Sequence, residues 1–139
     1  MKYISGIFAL NINCDLDTCG DWHQSALKWD SFTLLESENS IWGDYGIEKN
    51  KTIPGHSVKY NVANHIRALL DLIQQHNFGL AGGMREDFIC NDKYNKEIFE
   101  KVYMLRNSNR WNDISRFMGK EYCLRWIDFL EEHNERMDV

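Results

Sequence analysis

A chain of 139 residues, 43% hydrophobic, 13% aromatic and 27% charged, is long enough to bury one core and too apolar to be disordered. Its net charge of −5 argues against a general nucleic-acid-binding surface, which needs a positive field. No apolar run approaches the roughly 20 residues a bilayer demands, so a single domain over 1–139, working in the cytoplasm and away from membranes, is expected.

Near the start, Tyr3, Ile4, Ile7 and Phe8 alternate loosely and predict a strand within 2–13. Ser5 and Gly6 interrupt the apolar stretch and Asn11 and Asn13 follow it, so it lacks the unbroken core of a secretory signal. Asp21 is a fitting N-cap for a short helix over 22–29, with Trp22, Ala26 and Trp29 on one face. Phe32, Thr33, Leu34 and Leu35 predict a second strand. Residues 36–55 carry Gly43, Gly46, Pro54 and Gly55 and read as a loop, anchored by Ile41, Trp42 and Tyr45.

The clearest periodicity belongs to Val62, Ile66, Leu69, Leu70 and Ile73, which predict a core-facing helix over 61–77. Asn61 or Asn64 would cap its start, and Asn77 and Gly79 would end it. Arg67 and Asp71 fall four residues apart on the opposite side, as an exposed ion pair worth a few tenths of a kcal/mol. The glycines of 79–83 read as a flexible joint.

Three further helical stripes follow: Ile98, Phe99, Val102 and Leu105; then Trp111, Ile114, Phe117 and Met118; then Tyr122, Trp126, Phe129 and Leu130. Ser108 or Asn109 would start the second and Gly119 would close it. The expected fold is α+β, a small N-terminal β-sheet with a short helix, packed against about four helices that dominate residues 60–135.

The densest reactive cluster runs from Cys14 through Cys19 to His23. Read as metal ligands it is Cys-x4-Cys-x3-His, three donors of the kind zinc favours, and a structural site needs four. His56, His65 or Cys90 would supply the fourth. Read as catalysis, His23 is an acid–base group whose ordinary pKa suits proton transfer beside a thiol. Against both stands a bland alternative, two loop thiols and a histidine at a helix start. Cys90 and Cys123 have apolar neighbours and read as small buried hydrophobes. A chain with a good core needs no disulfide framework, so four free thiols are expected. His65 and His76 border the apolar stripe and read as packed, hydrogen-bonded side chains.

Three functional classes remain. The leading expectation is a small binding or inhibitory protein acting by protein–protein contact. Asp44, Glu48, Asp128, Glu131, Glu132 and Glu135 would form an acidic surface for a basic partner such as a nucleic-acid enzyme. Asn- and Ile-rich, Pro-poor usage suits AT-rich coding, so a phage-encoded inhibitor or an antitoxin is one concrete form. The alternative is a zinc protein, or a metal- or histidine-dependent enzyme, built on Cys14, Cys19 and His23. The weakest is nucleic-acid binding by the helices of 93–125, which hold eight basic residues against four acidic ones and interleave Trp111 with Arg106, Arg110 and Arg116. Trp111 is in register with a core stripe, which favours its burial.

Overall fold

A computed structural model describes residues 1–20 and 24–137, with side chains as far as residue 133. In chain order the elements are β1 (Lys2–Tyr3), α1 (Gly6–Leu10), β2 (Leu35–Glu36), β3 (Ile47–Lys51) and β4 (Tyr60–Ala63). The helices α2 (His65–Gln74), α3 (Phe78–Ala81), α4 (Asn95–Tyr103), α5 (Trp111–Tyr122) and α6 (Leu124–Met137) follow, with a π-helical turn at Met84–Ile89 between α3 and α4. The fold is a small α+β arrangement, as the sequence predicts. No helix among the described residues is long and apolar enough to cross a membrane.

Helix α2 organises the molecule. The Asn64 side chain accepts the Arg67 backbone N–H at 2.9 Å, satisfying one of the donors that a helix start leaves open. Its Ile66, Leu69, Leu70 and Ile73 are fully buried, as the periodicity requires. The opposite side is buried too. Arg67 and Asp71, expected on the surface, are 0% and 3% exposed, because α1 and β1 cover one flank and the 43–46 turn covers the other.

Their burial is fully paired. Arg67 Nη1 donates to the carbonyls of Gly43 (2.7 Å) and Tyr45 (2.5 Å), and its Nε donates to Asp71 at 3.1 Å. Asp71 also accepts from the Tyr3 hydroxyl (2.8 Å) and from Ser5 Oγ (2.6 Å). The Tyr3 oxygen in turn accepts from Arg67 Nη2 at 3.0 Å. A charge withdrawn from water is tolerated only with such partners.

Two antiparallel strand pairs form the β part. β1 pairs with β2 (Lys2 opposite Glu36), and β3 pairs with β4 (Ile47 opposite Ala63) with an irregularity between Glu48 and Lys51. A parallel bridge between Ile4 and Val62 joins the two pairs.

Several local expectations change. Residues 6–10 are helical: Gly6, at φ +63°, turns the chain out of β1, and Ala9 and Leu10 then bury against α2. The predicted 36–55 loop contains β3. The first residues of the predicted long helix form β4, where pairing with β3 outweighs helical spacing, so Asn64 is the cap and Asn61 is not. Helix α5 runs through Gly119 to Tyr122. A Cβ at Gly119 would make an ordinary contact with Trp126, 4.0 Å away, so this residue packs toward α6 and does not close α5. The helix expected over 22–29 is a three-residue 3-10 turn at Gln24–Ala26, and its proposed cap and first turn lie outside the described residues.

Candidate functional site

The loop over 11–20 leaves α1 and passes across the N-terminus of α2. Hydrogen bonds along its length and one covalent bond fix it. Asp15 N–H donates to Glu48 Oε2 (2.8 Å), and Lys51 Nζ donates to the Asn13 carbonyl (2.6 Å) while pairing with Glu48 at 2.7 Å. Asp17 N–H donates to the Tyr94 hydroxyl at 2.8 Å. Cys19 and Gly20 N–H both donate to the Phe88 carbonyl, at 3.0 and 3.2 Å. Cys19 is bonded to Cys90, 71 residues later, with Cα atoms 5.8 Å apart.

Held this way, the loop closes on His65, the first residue of α2. Thr18 Oγ1 is hydrogen-bonded to His65 Nδ1 at 2.7 Å, and Cys14 Sγ lies 3.5 Å from the same hydroxyl. On the far side of the ring, His65 Nε2 is 2.7 Å from the Ile12 carbonyl. A carbonyl can only accept, so Nε2 carries hydrogen and the lone pair of the neutral ring sits on Nδ1, facing Thr18 and Cys14.

The electrostatics follow from these contacts. Burial pushes the Cys14 thiol up, but hydrogen bonds from His65 and Thr18 and the imidazolium charge outweigh it, leaving Cys14 below its ordinary value. Burial pushes His65 down, and its bond to Cys14, the thiolate charge, the Ile12 carbonyl and the Glu48 charge together raise it. The N-terminal end of α2 also favours a thiolate there. Both shifts favour the thiolate–imidazolium form over what the two groups would adopt apart. His65 is 1% exposed, whereas Cys14 is only partly buried, so the sulfur meets solvent and the base does not.

Of the sequence-derived ligands, Cys14 and His65 come together. Cys19 and Cys90 bond to each other, which corrects the expectation of four free thiols. Phe88 and Ile89 enter the core, and Cys90, at φ +57°, turns outward at the end of the π-turn instead of burying with them. Cys123 is likewise exposed, at the sharp α5–α6 turn. His56 is engaged elsewhere: its Nε2 donates to the Trp29 carbonyl at 2.6 Å and its ring packs against Phe32 and Tyr60. His23 lies outside the described residues. Among those described, no three His, Cys, Asp or Glu side chains converge as a metal ion would need.

The acidic residues divide. Glu48 is committed to Asp15 and Lys51. Asp44 is exposed and accepts from Ser37 Oγ at 2.5 Å. Asp128, Glu131 and Glu132 are exposed on α6, and the Glu135 side chain lies outside the described residues. Within 93–125, Arg110 pairs with Asp113, and Trp111 is half-buried against Tyr103 and Trp126.

The sequence marks Cys14 and His65 as candidate donors of one site but gives no sign of Thr18 between them. Thr18 and His65 are 47 residues apart, and no spacing rule connects a loop hydroxyl to a distant helix start. Compared with protein-family models, curated proteins and solved structures, the chain matches none.

Proposed function

We propose that the protein is a thiol-dependent acyl-transfer or hydrolytic enzyme, with Cys14 as nucleophile and His65 as its base. The observation that carries this reading is the contact chain from Cys14 Sγ through Thr18 Oγ1 to His65 Nδ1, with Nε2 tied to the Ile12 carbonyl. It supplies the three parts such chemistry uses: a nucleophile, an adjacent base, and a third group that fixes the base's tautomer.

In this reaction the Cys14 thiolate attacks the acyl carbon, forming an S–C bond and passing an electron pair to the carbonyl oxygen. Collapse expels the leaving group, which takes a proton from the Thr18 hydroxyl as that hydroxyl recovers one from His65 Nδ1, the ring itself being closed to solvent. Water then attacks the thioester and loses its proton to His65 by the same relay through Thr18, releasing the acid and restoring the thiol. Thr18, hydrogen-bonded to the base and beside the sulfur, orders both.

An activated acyl ester, p-nitrophenyl acetate, tests the reading. A burst of nitrophenolate with acetyl found on Cys14 by mass spectrometry is expected, lost in Cys14→Ser and strongly slowed in His65→Gln. Acetylation spread equally over Cys14 and the exposed Cys123, without turnover, would defeat it.

Contact with a basic protein is the second reading, favoured by the exposure of Asp128, Glu131 and Glu132 along one helix. In this form the protein is an inhibitor or antitoxin that occupies the groove of a nucleic-acid enzyme. Its complex would weaken with salt, and Asp128→Lys with Glu132→Lys would slow association more than it speeds dissociation. Affinity capture with the wild type and the reversed-charge variant distinguishes the cases. Recovery of the same partners at the same rate would remove the acidic surface from consideration.

A further inference from the structure

The apolar side chains exposed among the described residues are mostly scattered, with one exception. Leu124 and Ile127 stand one helical turn apart on α6, 71% and 44% exposed. Single exposed apolar residues need no explanation, whereas adjacent ones on a helix face mark a contact surface. Beside them α5 and α6 enclose a groove of about 570 Å³, lined by Trp111, Arg116, Lys120, Trp126, Ile127 and Leu130.

The charges around this face complement one another. Lys120, in the last turn of α5, and Glu131, on α6, are of opposite sign. Neither side chain has an ion-pair or hydrogen-bond partner among the described residues. They lie toward opposite ends of the apolar stretch along the chain. A two-fold axis through Ile127 would lay two α6 helices antiparallel. Leu124 of one copy would then meet Leu130 of the other, and Glu131 would reach the α5–α6 turn, within three residues of Lys120. The axis repeats the pairing in the other direction. An isologous contact needs this self-complementarity, with the same patch serving both sides.

We propose that the α5–α6 face is a homodimer interface, with Leu124, Ile127 and Leu130 at its centre and two Lys120–Glu131 pairs across the copies at its rim. The inference is independent of the Cys14 site. It assigns Lys120 of α5 to a protein contact rather than to nucleic acid.

Sedimentation equilibrium of the full chain, from micromolar to millimolar protein, is the test. A monomer–dimer equilibrium is expected for the wild type. Leu124→Glu and Ile127→Glu should each weaken it by at least about tenfold, as the loss of a central apolar contact does. Because both side chains are exposed, far-UV circular dichroism should stay unchanged, and melting should match the wild type at concentrations too low for the dimer to form. Lys120→Glu alone should weaken the dimer, and Lys120→Glu combined with Glu131→Lys should restore it. A wild type that stays monomeric throughout would overturn the proposal. A dimer indifferent to both apolar substitutions would do the same, and so would failure of the charge swap to restore what the single reversal lost.

Discussion

Gly20 lies so close to His65 that a Cβ at this position would sit 2.7 Å from imidazole Cε1 and 2.6 Å from the Leu10 carbonyl oxygen. The first neighbour is a ring pinned at both nitrogens, and the second is backbone, so neither can withdraw cheaply. Gly20→Ala should therefore cost about 1–3 kcal/mol, the usual range for overpacking. It should also displace the loop that brings Thr18 and Cys14 to His65. Urea denaturation gives the stability, and the rate of Cys14 alkylation at neutral pH gives the second effect. A stable variant with unchanged alkylation would show that the close approach has no bearing on the site.

The paired shifts of Cys14 and His65 predict opposing pH dependences. His65 is raised above its ordinary 6.5. Its contribution to stability is complete below that pH and disappears as pH climbs through the raised value. Cys14 is lowered from its ordinary 9.0. Its contribution is complete above pH 9.0 and disappears as pH falls through the lowered value. Alkylation by iodoacetamide should have a midpoint below 9.0 in the wild type. In His65→Gln, burial is no longer opposed by imidazolium and the midpoint should move upward. An identical pH–rate profile in the two proteins would dissolve the ion pair.

What could be read from the sequence differs sharply between the two halves. Ile66, Leu69, Leu70 and Ile73 repeat every three or four residues, and that repeat alone places α2 and its buried stripe. The stripes of α4, α5 and α6 are legible for the same reason. Arg67 defeats the method. Its spacing to Asp71 marks an exposed pair, and only the turn at Gly43 and Tyr45, which folds over α2, makes it a buried one. The site fails on similar grounds. Cys14 is legible as reactive and His65 as one of three distant candidates beside it, but the spacing points first to Cys19 and His23. The loop instead crosses a helix start that is remote in sequence, and Cys19 turns away toward Cys90.

The Cys19–Cys90 bond closes a span of 71 residues, and the chain-entropy model assigns such a closure about 4 kcal/mol. Cys19→Ser with Cys90→Ser should lower the urea midpoint accordingly. Both sulfurs are exposed, so a dithiol reductant should reach the bond and have a comparable effect on the wild type. The loop keeps its hydrogen bonds to Phe88 and Tyr94, so the reduced protein should remain folded at low denaturant. Equal urea midpoints with and without reductant, alongside thiol titration showing four free cysteines throughout, would mean the bond does not form in solution.

The buried pair of Arg67 and Asp71 gives the largest expected stability effect. Arg67→Met preserves much of the side-chain volume and removes the charge. It leaves the Asp71 carboxylate buried with only the Tyr3 and Ser5 hydroxyls, and strips the Gly43 and Tyr45 carbonyls of their donor. Removing one partner of a buried pair costs about 3–5 kcal/mol, because the surviving charge stays desolvated. Asp71→Asn keeps a polar group of the same shape beside Arg67 and should cost less, though still more than an exposed pair would. The loss should also be local before it is global. The 43–46 turn is fastened to α2 through Arg67, so its amides should lose hydrogen-exchange protection in Arg67→Met before those of α5 and α6 do. Should Arg67→Met cost under about half a kcal/mol, the range of a surface pair, the guanidinium is not enclosed in solution and the closure of that turn over α2 is wrong.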